Sequence, residues 1–197
     1  MATHYLDLDL SALALGEVSR EGRVYVAPVE PCVRVQTPTV TLATGVDGAF
    51  AGLAVAGAFA DFVSRAEQAL LDACLAAKAS WLRRDVSDES LRDNFRSFVS
   101  DGVLRVKVDA GVAAFDADGQ AIGADEIPAG ARARAVLELA RVCFGRAEFG
   151  GIWRLTQVQL VRAPELLLTP EPAPAEPVAD AEPDAAADLA ESVEEFL

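Results

Sequence analysis

Six cations recur in stretches with β-strand texture: Arg34, Arg105 and Lys107, Arg132 and Arg134, and Arg154. Alternate residues of a strand share a face. Each group can therefore project outward as fixed positive charge. Rows of this kind track the phosphates of a polyanion, and neighbouring aromatic planes stack on bases. Arg146, in the turn Gly145–Glu148, is placed to reach a phosphate as well. Trp153 and Arg154 point to opposite faces of a regular strand, and Gly150–Gly151 permits a bulge that would realign them.

Catalytic chemistry finds little support. His4 is the sole histidine and lies in an N-terminal arm, which argues against a Ser–His or Cys–His arrangement. Asp116–Gly123 begins like a calcium loop but lacks the bidentate glutamate. Asp85, Asp88 and Glu89 are explained by solvation at a helix start. A glycine-rich phosphate loop, a metal-ligand spacing and a paired-carboxylate signature are all missing from the sequence. The expectation is a non-enzymatic protein without cofactor or metal.

Length and charge bound the rest. A chain of 197 residues suits one domain with appendages. The net charge of −14 is uneven. Ten of the 31 acids come after Arg162 and no base does, which leaves 21 acids against 17 bases in the body, a balance of −4. A local basic face is enough for phosphate contact despite that balance. Cys32, Cys74 and Cys143 are odd in number and widely spaced, as expected of buried free thiols in a reducing intracellular compartment. No secretory signal pattern opens the chain. The apolar run Ala49–Ala60 has twelve residues, against about 20 needed to span a bilayer, so no membrane role is expected.

Several elements must position the cations. Arg23–Ala27 is a strand broken by Pro28 and Pro31. Cys32–Thr44 is a second strand, with Val33 and Val35 on one face, Arg34 and Gln36 on the other, and an interruption at Pro38. A turn at Gly45–Gly48 leads to an apolar strand over Ala49–Ala58. Asp61 is placed to cap a long helix whose stripe runs from Phe62 through Ala66, Leu70 and Cys74 to Trp81, with Arg83 and Arg84 at its end. Ser87 starts a short second helix reaching about Val99. Gly102–Ala110 alternates cleanly, with Leu104, Val106 and Val108 against Arg105, Lys107 and Asp109. Ala131–Val161 is a long hairpin. The segment 163–197 is rich in Pro, Ala, Glu and Asp and is expected to be disordered. The expected fold is mainly β, an OB-fold-like antiparallel barrel over 1–162 with a helical insertion at about 61–99, then an acidic tail.

The hairpin also carries a resemblance. Gly130, Arg132, Phe149, Gly150, Trp153, Arg154 and Gln157 resemble a signature of OB-fold single-stranded-DNA-binding proteins of tailed phages and nucleocytoplasmic large DNA viruses. Val35–Pro38 and the string LRDNFRSFVSDGVLRVKV are similar to further parts of that group. The resemblance implies sequence-independent binding and annealing of single-stranded DNA in replication, recombination or repair, inside a virus-infected cell. It also implies that Glu194, Glu195, Phe196 and Leu197 of the tail recruit replication proteins and compete with DNA for the basic groove. Two alternatives stand beside it. One is an interaction or virion module that keeps the fold without binding DNA. The other is a homodimer or larger assembly that exchanges Met1–Arg20.

Overall fold

The computed structural model describes residues 2–22, 24–46, 48–81, 86–145 and 148–162. The chain divides into two units, Met1–Ala163 and Pro164–Leu197. The second, with the tail residues Glu194, Glu195, Phe196 and Leu197, lies outside the described residues. Among the described residues no helix is long and apolar enough to cross a membrane.

Six strands carry the fold: β1 (Val24–Gln36), β2 (Val40–Thr41), β3 (Phe50–Ala54), β4 (Val103–Phe115), β5 (Arg132–Phe144) and β6 (Phe149–Leu160). Between β3 and β4 the chain inserts α1 (Gly57–Trp81) and α2 (Asp88–Asp93). β3 pairs antiparallel with β4, β4 parallel with β6, β6 antiparallel with β5, and β5 antiparallel with both β1 and β2. An isolated antiparallel bridge, Leu42 to Leu53, joins the end of β2 to β3. A backbone hydrogen bond supports it, from Ala43 N to Gly52 O at 2.7 Å. With β1 and β2 taken as one bent first strand, the order is first–second–third–fifth–fourth and back to first. That is the five-stranded Greek-key order of an OB-fold. The mainly β, OB-fold-like architecture is as expected, and one barrel pair in it is parallel. β6 returns from the β5 hairpin alongside β4 and in the same direction, so that pair is parallel.

The long hairpin forms as its alternation predicts, and two bulges keep its apolar positions inward. Register shifts between Val136/Leu137 and between Leu139/Arg141 place Thr156 and Ala140 as extra residues. Each flips the parity of the residues beyond it. Leu137, Leu139 and Val142 on β5 therefore all face the core, as do Trp153, Leu155 and Val158 on β6. The Thr156 hydroxyl donates to Val136 O at 3.1 Å and pins the first bulge.

β1 differs from expectation. It is one strand rather than two, with a detour. Leu139 faces Val33, and Arg141 faces Pro28, so Val29–Cys32 leaves β5. In that stretch Val29 and Glu30 pair with Ala14–Leu15 instead. The break at Pro38 occurs as expected. Buried Thr37 donates its N–H to Ala135 O at 2.9 Å, and its hydroxyl oxygen accepts from Ala135 N at 3.0 Å. The N-terminal arm folds back on its own chain. Thr3–His4 runs parallel to Val35–Gln36, and Tyr5 meets the rings of Phe59 and Phe62 at 5.4 and 5.9 Å.

α1 starts at Gly57, four residues before Asp61, because Phe59 extends the buried stripe upstream. Trp81's side chain and Arg83–Arg84 lie outside what is described. α2 is capped as predicted, with Ser87 Oγ accepting from Ser90 N at 3.2 Å, but it ends at Asp93 rather than near Val99. The chain then pairs with the start of β6, where Arg96 N donates to Phe149 O at 2.8 Å and Phe149 N to Asn94 O at 3.0 Å. Phe98, beyond the end of α2, is buried against Trp153, and its N–H donates to Glu67 Oε1 of α1 at 2.6 Å. Gly151 is needed where α1 and the barrel meet. A Cβ there would lie 2.7 Å from Leu70 Cδ2 and 2.8 Å from Leu139 Cδ1.

Trp153, which the sequence leaves open between a base-stacking platform among the DNA-contacting residues and a core residue, is a core residue. It is 1% exposed, and its ring lies 6.0 Å from Phe98 and 6.4 Å from Phe62. Its face cannot meet a base, because the inward parity of β6 commits it to the barrel. Trp153→Ala is expected to cost about 3–5 kcal/mol in urea unfolding, as a cavity-forming core truncation. The thiols also depart from a uniformly buried set: Cys74 is buried, Cys143 half-buried and Cys32 exposed. Burial pushes the Cys74 thiol up to about 12 from 9.0. A raised folded value means that stability is fully present below pH 9 and declines as pH rises toward the folded value. Cys74→Ala should therefore show a shallower loss of stability above pH 9 than the parent, measured by denaturation midpoints across an alkaline series.

Candidate nucleic-acid interface

The outward faces of the barrel strands are polar for the same reason that the inward faces are apolar. On β4, Leu104 and Val106 are buried, so Arg105, Lys107 and Asp109 face out. On β3, Ala51 and Leu53 face in, which leaves Phe50 outside at 43% exposure. Cross-strand register then builds one transverse row. Phe50 sits opposite Lys107, Lys107 opposite Arg154, Arg154 opposite Glu138, and Glu138 opposite Arg34.

At the Phe50 end of this row lies an open cleft of about 360 Å³. Phe50, Arg105 and Lys107 line one side of it, and the β5–β6 turn lines the other with Gly145 and Glu148. Arg96 and Cys143 also border it. The Arg105 guanidinium lies over the Phe50 ring, 3.8 Å from its centroid, a cation–π arrangement that fixes both groups. Arg96 pairs with Glu148 at 2.9 Å, with both side chains more than half exposed, so water screens the pair heavily. Among the described residues neither Arg105 nor Lys107 has a carboxylate within ion-pair distance. A charged, partly aromatic trough of this kind can hold an extended anion and stack a planar group. Among the described residues no group of His, Cys, Asp and Glu is clustered to hold a metal ion.

The expected cations fall in three places rather than one groove. Arg105 and Lys107 line the cleft. Arg34 and Arg154 belong to the row, but carboxylates hold them. Arg34 Nη2 lies 2.5 Å from Glu138, and Arg154 Nε reaches both Asp109 oxygens at 3.1 and 2.9 Å. Hydrogen bonding to these carboxylates raises the pKa of each guanidinium. Arg132 and Arg134 are exposed at the far end of β5, opposite Thr41 and Gln159, with no ion pair among the described residues. Arg146 lies outside the described residues. Sequence reading missed Phe50 and Arg96. Phe50 did leave a signal: in the strand FAGLA it is the one large side chain among the alternate positions Phe50, Gly52 and Ala54, and only Phe50 of these is exposed.

No curated protein sequence matches the chain. Solved structures that resemble it include the single-stranded DNA-binding protein from bacteriophage Enc34 in a C-terminally truncated form. That likeness has 11% identity over 77% of this chain and 96% of the other, at a TM-score of 0.48. The same phage protein in complex with ssDNA gives 11% identity, 77% and 97% coverage, and a TM-score of 0.47. The fold itself rests on this chain's own strand order. A family model described as "Family of unknown function (DUF5871)" matches residues 50–172, well over half of the 197. The chain belongs to that family.

Proposed function

We propose that this protein binds single-stranded DNA without reading its sequence. The observation that carries the reading is the cleft itself. Phe50, Arg105 and Lys107 stand on the second and third barrel strands, facing the turn between the fourth and fifth. In an OB-fold, that face and that loop take oligonucleotides. Lys107 and Arg105 would neutralise successive phosphates and release their counterions, while Phe50, held under Arg105, offers a ring to a base. Charge and one aromatic ring are features any single strand can meet, which suits sequence-independent binding in replication, recombination or repair. The acidic segment 163–197 would serve as the partner-recruiting arm and compete with DNA for the same cations.

A second reading, an interaction module without DNA binding, is favoured by the carboxylates that neutralise Arg34 and Arg154. Oligo-dT binding across a salt series separates the two. With the chain truncated after Arg162, no binding at low salt would leave only the second reading.

Three outcomes are expected of the first. Arg105→Ala and Lys107→Ala should each flatten the slope of log affinity against log salt by about 0.7. Phe50→Ala should weaken binding by about 1–3 kcal/mol while leaving that slope nearly unchanged. Truncation after Arg162 should tighten binding at low salt; an unchanged affinity would remove the competitive role of the tail.

A further inference from the structure

Glu138 is the one charged side chain among the buried described residues, at 8% exposure, and it sits on the outside of the barrel wall. It is buried there by its neighbours in the transverse row. Arg34 Nη2 lies at 2.5 Å on one side and Arg154 Nη1 at 3.7 Å on the other. Asp109, two residues beyond Lys107 on the same face of β4, takes Arg154 through both of its oxygens. The result is a ladder, Arg34–Glu138–Arg154–Asp109, that crosses four strands and ends beside the cleft cation Lys107. Without the two carboxylates, the positive charge of Lys107 would continue directly into Arg154 and Arg34.

We propose that Asp109 and Glu138 are specificity-determining residues. They occupy the guanidinium positions that phosphates would otherwise take, and so confine a nucleic-acid strand to the cleft. The inference rests on the single-stranded-DNA reading for its ligand, but its physical content is local. A carboxylate that already holds an arginine in a fixed, hydrogen-bonded geometry must be displaced before a phosphate can use that arginine. The strand therefore loses the counterion release that Arg154 and Arg34 would have supplied. The cleft keeps Arg105 and Lys107, and affinity stays modest and reversible.

The test uses the full-length chain with fluorescent oligo-dT, titrated at several salt concentrations. The proteins are the parent, Asp109→Asn, Glu138→Gln and the control Asp61→Asn. The control removes one charge on α1 without releasing an arginine. Thermal midpoints verify that each variant is folded. Asp109→Asn and Glu138→Gln should bind roughly three- to tenfold tighter at low salt, with slopes steeper by about 0.7 for each arginine released. Asp61→Asn should change little. If the parent binds and both ladder variants match it or the control, the inference is overturned while the DNA reading stands. If the parent does not bind but the ladder variants do, the ladder's suppressing role holds. If none binds at low salt, the inference is overturned, and the DNA reading fails with it when the chain truncated after Arg162 does not bind either. Should a neutral variant unfold, Asp109→Glu, which keeps the charge, must bind like the parent; tighter binding by it would also overturn the inference.

Discussion

The pairing of β5 with β6 is the constraint on which the rest of the structure depends. It supplies the fourth and fifth barrel strands, and through them it reaches β1 and β2 on one side and β4 on the other. Its inward side chains form the wall against which α1 packs, and the closeness of that packing shows in the space at Gly151. Its two bulges reconcile a long hairpin with a curved sheet, since each extra residue adds local twist while returning the apolar positions to the interior. The same parity decides the outer face. Once Leu139 and Leu155 must face in, Glu138 and Arg154 must face out and meet.

That coupling explains why a body with an excess of acids still presents usable positive charge. The carboxylates are placed unevenly over its surface. Two of them lie against arginines in the middle of the transverse row, one pairs with Arg96 at the cleft rim, and Arg105 and Lys107 are left to solvent. The charge that an approaching anion meets is thus set by strand register, and net charge describes it poorly.

The parts of the fold that were legible in the sequence are those governed by local periodicity. The hairpin, the alternation of Leu104–Val106 against Arg105–Lys107, the Ser87 cap and the stripe of α1 all come from patterns a few residues long. The errors arise where a distant partner decides. β1 continues through its prolines because Ala14–Leu15 receives the detour, and α2 stops early because the start of β6 recruits Asn94 and Arg96. The site shows the same division. That Arg105 and Lys107 face outward could be read from spacing. That Arg34 and Arg154 face outward could be read as well, but their neutralisation could not, because Arg34 is separated from Glu138 by 104 positions and Arg154 from Asp109 by 45. Trp153 stays open between core and groove in the sequence because an aromatic beside an arginine is ambiguous until the bulges fix its parity.

The parallel pairing of β4 with β6 has a consequence for how the chain reaches this state. Two parallel neighbours cannot form a local hairpin, and β6 is also the last element of the barrel. The bent first strand likewise waits for β5, which lies about a hundred positions later in the chain. During synthesis, α1 can form early from contacts within its own length, while the edge of β1 that β5 will cover waits for residue 144 and the edge of β4 that β6 will cover waits for residue 160. Assembly of the wall is therefore a late, concerted event with high contact order, and the strand edges that await it are the part of the nascent protein most exposed to wrong partners.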